Sequence, residues 1–271
     1  MDLEKILSRQ EMLSVSKPAR YIGREWNMSL KKDEDVEISV ALAFPDLYEI
    51  GMSHLGLKIL YHILNSLPGV RAERVFAPWP DMGKMMKEKN IPLYSLESKI
   101  PLRSFDVVGM SLQHELNYTN VLYLLDLAGI PLWSEERGEE FPLILGGGPC
   151  AFNPEPVSSF FDVFLLGEGE EAIVEIVEVL KAMKSEKRDN VLSELSKIEG
   201  CYVPRFYSVS YHPDGKIKSI SPGVVRKRWI KDLDSAPYPQ KIIVPYLNIV
   251  HDRVPLEISR GCTRGCRFCQ A

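Results

Sequence analysis

The chain has 271 residues, a length that predicts roughly two domains. Its 45% hydrophobic and 26% charged residues exclude disordered, collagen-like and coiled-coil classes. The net charge of −4 hides an asymmetry: Arg226 to Ala271 carries nine Lys/Arg and four Asp/Glu, so this tail is +5 and the remainder −9. No apolar run approaches the roughly 18 residues needed to cross a bilayer. Met1-Asp2-Leu3-Glu4 begins with acid where a secretory signal needs base. A cytoplasmic protein with no membrane contact is expected, and the basic tail suits an anionic partner such as tRNA or another polyanion.

In chain order, residues 1–35 read as a lead-in: a helix carrying Leu3, Ile6, Leu7 and Leu13, then a polar link ending in Lys31-Lys32-Asp33-Glu34-Asp35. Residues 36–185 alternate strand and helix patterns. Strands are predicted at Val36 to Phe44, Val70 to Phe76, Asp106 to Leu112, Pro142 to Leu145 and Asp162 to Leu166. The intervening helices are Leu55 to Leu67, Asp81 to Lys89, Leu116 to Ala128 and Glu170 to Met183. Five strands separated by helices describe an α/β fold, a doubly wound, Rossmann-like parallel sheet covered on both faces. In such sheets a ligand sits beyond the carboxyl ends of the strands, which directs attention to the loops after Phe44, Leu112, Leu145 and Leu166.

Residues 186–250 read as a polar helix and a small β linker, with runs at Cys201 to Val209, Lys216 to Ile220 and Val224 to Ile230 around the turn His212-Pro213-Asp214-Gly215. Residues 251–271 begin with one more strand, Pro255 to Arg260, running into a cysteine loop.

Of five cysteines, Cys262, Cys266 and Cys269 fall within eight positions, a poor disulfide framework but a plausible set of soft metal ligands. The spacing CxxxCxxC lacks the second pair of a structural zinc site. Three thiolates on a four-iron cluster leave one iron open for a ligand. Cys150 and Cys201 are read as structural.

Cys262, Cys266, Phe268 and Cys269, with Arg260-Gly261 before them, resemble the signature of the radical S-adenosylmethionine superfamily. The resemblance extends upstream through Phe44 to Gly56, Gly146-Gly147-Gly148-Pro149 and Gly167-Glu168-Gly169-Glu170, which are similar to the N-terminal region of its cobalamin-binding subclass, in an uncharacterised bacterial branch. The resemblance implies a 4Fe-4S cluster on the three cysteines, S-adenosyl-L-methionine with Phe268 beside it, and a reductant such as flavodoxin or ferredoxin. It also implies a cobalamin site drawing on Gly146, Gly147, Gly148, Glu168, Gly169 and His54. The cobalt-ligating motif DxHxxG is not in register around His54, since Met52 and Leu57 stand at its Asp and Gly positions; Ser53 instead suits a helix cap there. Glycines 146–148 also serve a tight turn, and Glu168 and Glu170 also favour a helix N-terminus. His114 and Glu115 are acid–base candidates.

Such enzymes finish their site with a partial barrel of on the order of 150 further residues, so this chain is expected to be the front portion of an enzyme, without turnover by itself. Two other readings stay open: a stand-alone cobalamin or small-ligand module with a non-catalytic tail, and a zinc-stabilised interaction domain.

Overall fold

A computed structural model of the chain describes residues 6–267 and 269. Strands β1 (Ile38–Phe44), β2 (Val70–Phe76), β3 (Val107–Ser111), β4 (Leu143–Gly147), β5 (Val163–Leu165) and β6 (Cys201–Tyr202) form one sheet in the order β2-β1-β3-β4-β5-β6. The first five pair in parallel and β6 closes the edge antiparallel to β5. All seven residues of β1 are buried, as expected of a strand covered on both faces.

Strand alternation assigns the faces. Ile38, Val40 and Leu42 pack with helices α2 (Leu55–Ser66) and α5 (Ala172–Ala182), whereas Ala41 and Ala43 pack with α3 (Pro80–Glu88) and α4 (Tyr118–Ala128). Pro80 opens α3 at a position where its missing N–H costs nothing. Gly129 ends α4 with a left-handed φ of 65°. The order 2-1-3 places the reversal of winding between β1 and β3, where doubly wound sheets bind ligands.

Two charge clusters lie inside this body. Arg74 of β2, fully buried, pairs with Glu25 at 2.9 Å and Glu97 at 2.6 Å. Asp162, at the start of β5, receives Arg188 at 2.8 Å and Arg137 at 3.3 Å. Buried charge persists only when matched in this way.

Four sequence expectations are corrected. The sheet has six strands, not five: Cys201 and Tyr202 pair with Leu165 and Phe164, and Pro204, with no N–H to donate, ends the run. Helix α1 (Arg9–Ser14) starts at a capping box between Ser8 and Glu11 and is separated at Leu7 and Ser8 from the helical Ile6, so the expected single helix is broken, and Leu13 on α1 is exposed; Leu3 lies outside the described residues. The run Val224 to Ile230 is no strand; a single bridge joins Arg228 to Gly167. Pro255 to Arg260 forms no strand, because among the described residues no neighbouring strand supplies the ladder that would make it one. Strands β7 (Ser208–Tyr211) and β8 (Ile217–Ser221) form the linker hairpin, exposed at every residue.

Candidate functional site

At the carboxyl edge of the sheet, between β-strand floor and the amino ends of α2 and α5, lies a cavity of about 540 Å³, within the usual range for ligand sites. Its depth is apolar, formed by Val40, Leu42, Val107, Leu145, Ile59 and Ile173. Gly109 and Gly147 keep the floor open: a Cβ on Gly147 would meet nothing within 4 Å, and one on Gly109 nothing nearer than 3.9 Å. The mouth is polar, with Ser111, Gln113, Glu168, Glu170, Glu257 and Arg260.

Arg260 organises the mouth. Its guanidinium contacts Glu170 at 2.5 Å, Glu257 at 2.7 Å and Glu168 at 3.5 Å. Those carboxylates, the Glu257 hydrogen bond foremost, hold its pKa above the ordinary arginine value. Three acids against one guanidinium leave the mouth net negative. Glu168 also accepts the Ile230 amide, and Arg228 pairs with Glu171 and Glu175 at 2.7 and 2.8 Å. The acidic entry to α5 thus binds two arginines of the basic tail. Arg260 precedes Cys262 by two residues, so the cysteine loop begins at the cavity mouth.

The cavity gathers most of the sequence-predicted residues: His54, Gly147, Gly148, Glu168 and Gly169 all line it. Gly146 does not. It lies on the other face of β4, where a Cβ would stand 2.7 Å from the Phe164 ring and 3.1 Å from Phe161; its role is aromatic packing. Gly148 has φ of 97° and a Cβ there would meet the Leu112 carbonyl oxygen at 2.9 Å, so its backbone requires glycine.

His54, not Ser53, caps α2: its Nδ1 accepts the Leu57 amide at 3.1 Å, while Ser53 donates to the Glu49 carbonyl. Burial pushes the His54 pKa down, opposed by Gln113. In the neutral ring, a capping Nδ1 leaves the proton on Nε2. Gln113, beside His54 and Gly148, is a site residue the sequence reading passed over in favour of its neighbours. His114 and Glu115 themselves are exposed, and His114 caps the turn that follows by accepting the Leu116 amide.

Cys262, Cys266 and Cys269 are exposed. The Cys269 amide donates to the Cys266 carbonyl at 3.1 Å, and Gly261 and Gly265 carry left-handed backbone, φ 81° and 65°. Among the described residues no three His, Cys, Asp or Glu side chains converge on a metal position. The donor set itself, three thiols in one eight-residue loop, has the soft chemistry an iron–sulfur cluster needs. Phe268 lies outside the described residues. Cys150 and Cys201 are buried, and burial raises both thiols, Cys201 to about 12, which makes them inert packing groups. Among the described residues no helix is long and apolar enough to cross a membrane.

Fold and cavity together define a doubly wound α/β domain with a ligand slot at its carboxyl edge. The family model described as "Radical SAM proteins, N-terminal" matches residues 56–204, more than half of the chain, and the chain belongs to that family. It is 27% identical over 235 residues to an uncharacterized protein of Methanocaldococcus jannaschii, MJ0966, covering 86% of this chain and 41% of that protein. The chain thus spans about two fifths of the length of this curated relative. A solved structure of a radical S-adenosylmethionine methyltransferase, TsrM from Kitasatospora setae, aligns with a TM-score of 0.37 and 16% identity over 65% of this chain and 29% of that one.

Proposed function

We propose that this chain is the cofactor-holding front portion of a radical S-adenosylmethionine iron–sulfur enzyme of the cobalamin-binding subclass. One observation carries the reading: Arg260, two residues before the first cysteine of the loop, is clamped by carboxylates into the mouth of the cavity. Cys262, Cys266 and Cys269 are the residues to hold the cluster. When bound, the cluster supplies the electron that cleaves S-adenosyl-L-methionine reductively to methionine and a 5′-deoxyadenosyl radical.

The chain's own residues bind, orient and exclude water. The apolar floor accepts an uncharged heterocyclic portion of a cofactor, and Gly109 and Gly147 permit contact with the strand backbone. The surplus of carboxylates at the α5 side disfavours a phosphate there. Gly147 and Gly148, with Gln113 and Ser111 nearby and no acid in that loop, form the side that tolerates an anionic tail. His54 does not fit as a cobalt ligand, because freeing its Nε2 lone pair moves the proton to Nδ1 and breaks the α2 cap. Corrin binding here is therefore of a kind without a histidine–cobalt bond. The +5 tail suits a polyanionic substrate such as tRNA, and the reductant is a flavodoxin or ferredoxin.

Anaerobic reconstitution with iron and sulfide tests the cluster: a broad absorbance near about 400 nm is expected, lost when the three cysteines are changed to alanine. Uptake of iron unaffected by that change overturns it. Titration with cobalamin tests the cavity: the corrin spectrum shifts with the unaltered chain and not with Gly147→Leu, which fills the slot. Cobalamin binding without iron uptake favours the stand-alone binding module; one retained equivalent of zinc favours the interaction domain.

A further inference from the structure

A second cavity, of about 400 Å³, opens on a different face of α2. Lys58, Tyr61, His62 and Asn65 recur at the three- and four-residue spacing that shares a helix face, and they line one wall. The opposing wall is the strap 239–243, carrying Lys241. The strap is fixed from behind: the Asn27 side-chain amide donates to the Ile242 carbonyl at 2.9 Å, and the Val244 amide to the Trp26 carbonyl at 3.1 Å. The cavity therefore exists before any ligand arrives.

Its electrostatics are one-sided. Among the described residues no carboxylate lines it. Arg74 at the back is matched within the fold, since Glu25 and Glu97 together face Arg74 and Lys99. Lys58 is different. It is half-buried, and among the described residues its ammonium makes no hydrogen bond or ion pair; burial lowers its pKa, opposed by the charge of Asp252. A half-buried ammonium without a partner is costly unless something anionic completes it. Lys58, His62 and Lys241 thus surround an apolar floor of Met52, Leu57 and Ile243.

We infer that this cavity is a binding site for a small oxyanion with an apolar body, a phosphate monoester or carboxylate, its charged end received by Lys58 and Lys241 and its body by the floor. A half-enclosed slot of this size suits a compact ligand; a single-stranded nucleic acid requires an extended groove.

The probe is phenyl phosphate, titrated calorimetrically into the whole chain at low salt, where exposed charge is least screened. Saturable binding is expected, with inorganic phosphate weaker and benzyl alcohol silent. Lys58→Met, which keeps the side-chain length, and Lys241→Gln, on the exposed strap, are each expected to weaken binding about tenfold or more, with circular dichroism melts showing that both fold. Unchanged affinity in both variants, no binding to the unaltered chain, or equal binding of benzyl alcohol overturns the site. A short oligouridylate that displaces phenyl phosphate at equal concentration overturns the compact-ligand assignment.

Discussion

The sheet domain and the tail hold themselves together by different means. Up to Val203 the chain buries a continuous double core, whereas beyond it Ile243 is the one buried hydrophobic residue among those described. The tail is not short of apolar residues: Val209, Tyr211, Ile217 and Ile220 form one exposed face of the hairpin, and Val254, Leu256 and Ile258 alternate, exposed, before the cysteine loop. Besides the few side chains that reach the core, Ile243 with the partly buried Tyr207, Val225, Leu247 and Ile249, charge and backbone fasten it, through Arg228, Arg260 and the bridge at Gly167. A two-stranded hairpin has little stability of its own. A region so held responds to single charge removals locally, and a region held by a core responds globally.

The largest expected effect lies in the sheet. Arg74→Met strands Glu25 and Glu97 in the interior, and its urea midpoint should report a loss of about 3–5 kcal/mol. Arg228→Met removes ion pairs to half-exposed Glu171 and Glu175 and should cost at most about 1 kcal/mol by the same measurement. Equal losses in the two variants break the contrast between regions. A smaller effect separates two adjacent glycines: Gly146→Ala drives a methyl into Phe164 and should cost about 1–3 kcal/mol, whereas Gly147→Ala enters open space and should stay within about 0.5 kcal/mol of the unaltered protein. If Gly147→Ala proves the more damaging, the floor of the slot is misassigned.

Arg260→Met sharpens the comparison further, because its guanidinium ties loop to sheet without supporting the core. The expected outcome is faster amide hydrogen exchange across residues 257–267, with exchange in β1 and β3 unchanged and a global shift below about 1 kcal/mol. Exchange that spreads into the sheet would show that the tail is part of the same cooperative unit. In that event the separation of fastening mechanisms fails.

Local pattern carried the sheet well and long-range pairing poorly. Strand β2 matches its expected bounds because Gly69, with left-handed backbone, and Pro78 punctuate it. The carboxyl-edge loops were legible for the same reason, and they do line one cavity. The placement of Gly146 away from the cavity follows from alternation: with Leu143 and Leu145 on the α2 face, Gly147 falls there and Gly146 opposite. Strand β6 is two residues long and owes its existence to an edge that only the folded sheet presents. Arg260 meets Glu170 across 90 residues of chain, and no periodicity announces such a contact. Gln113 was overlooked because an amide lacks the acid–base signal that drew attention to His114.

The smallest effect concerns His54, whose imidazole sits between cap and cavity. Its pKa is lowered from the ordinary 6.5 by burial, so the folded protein binds fewer protons than the unfolded chain once pH falls below that value. Stability from this residue is therefore complete above about pH 6.5 and is lost as pH falls from the unfolded value through the folded one. Buried carboxylates such as Glu49, lowered by Arg20 and Lys17 against their desolvation, add losses of the same sign at lower pH, so the comparison must be between proteins. His54→Asn keeps a capping side chain without an ionisable ring. The urea midpoint of the unaltered protein should therefore decline relative to His54→Asn between pH 7 and pH 5, by a few tenths to about 1 kcal/mol. Parallel midpoints across that range would mean that His54 protonates freely in the folded state, which is incompatible with an Nδ1 committed to the Leu57 amide.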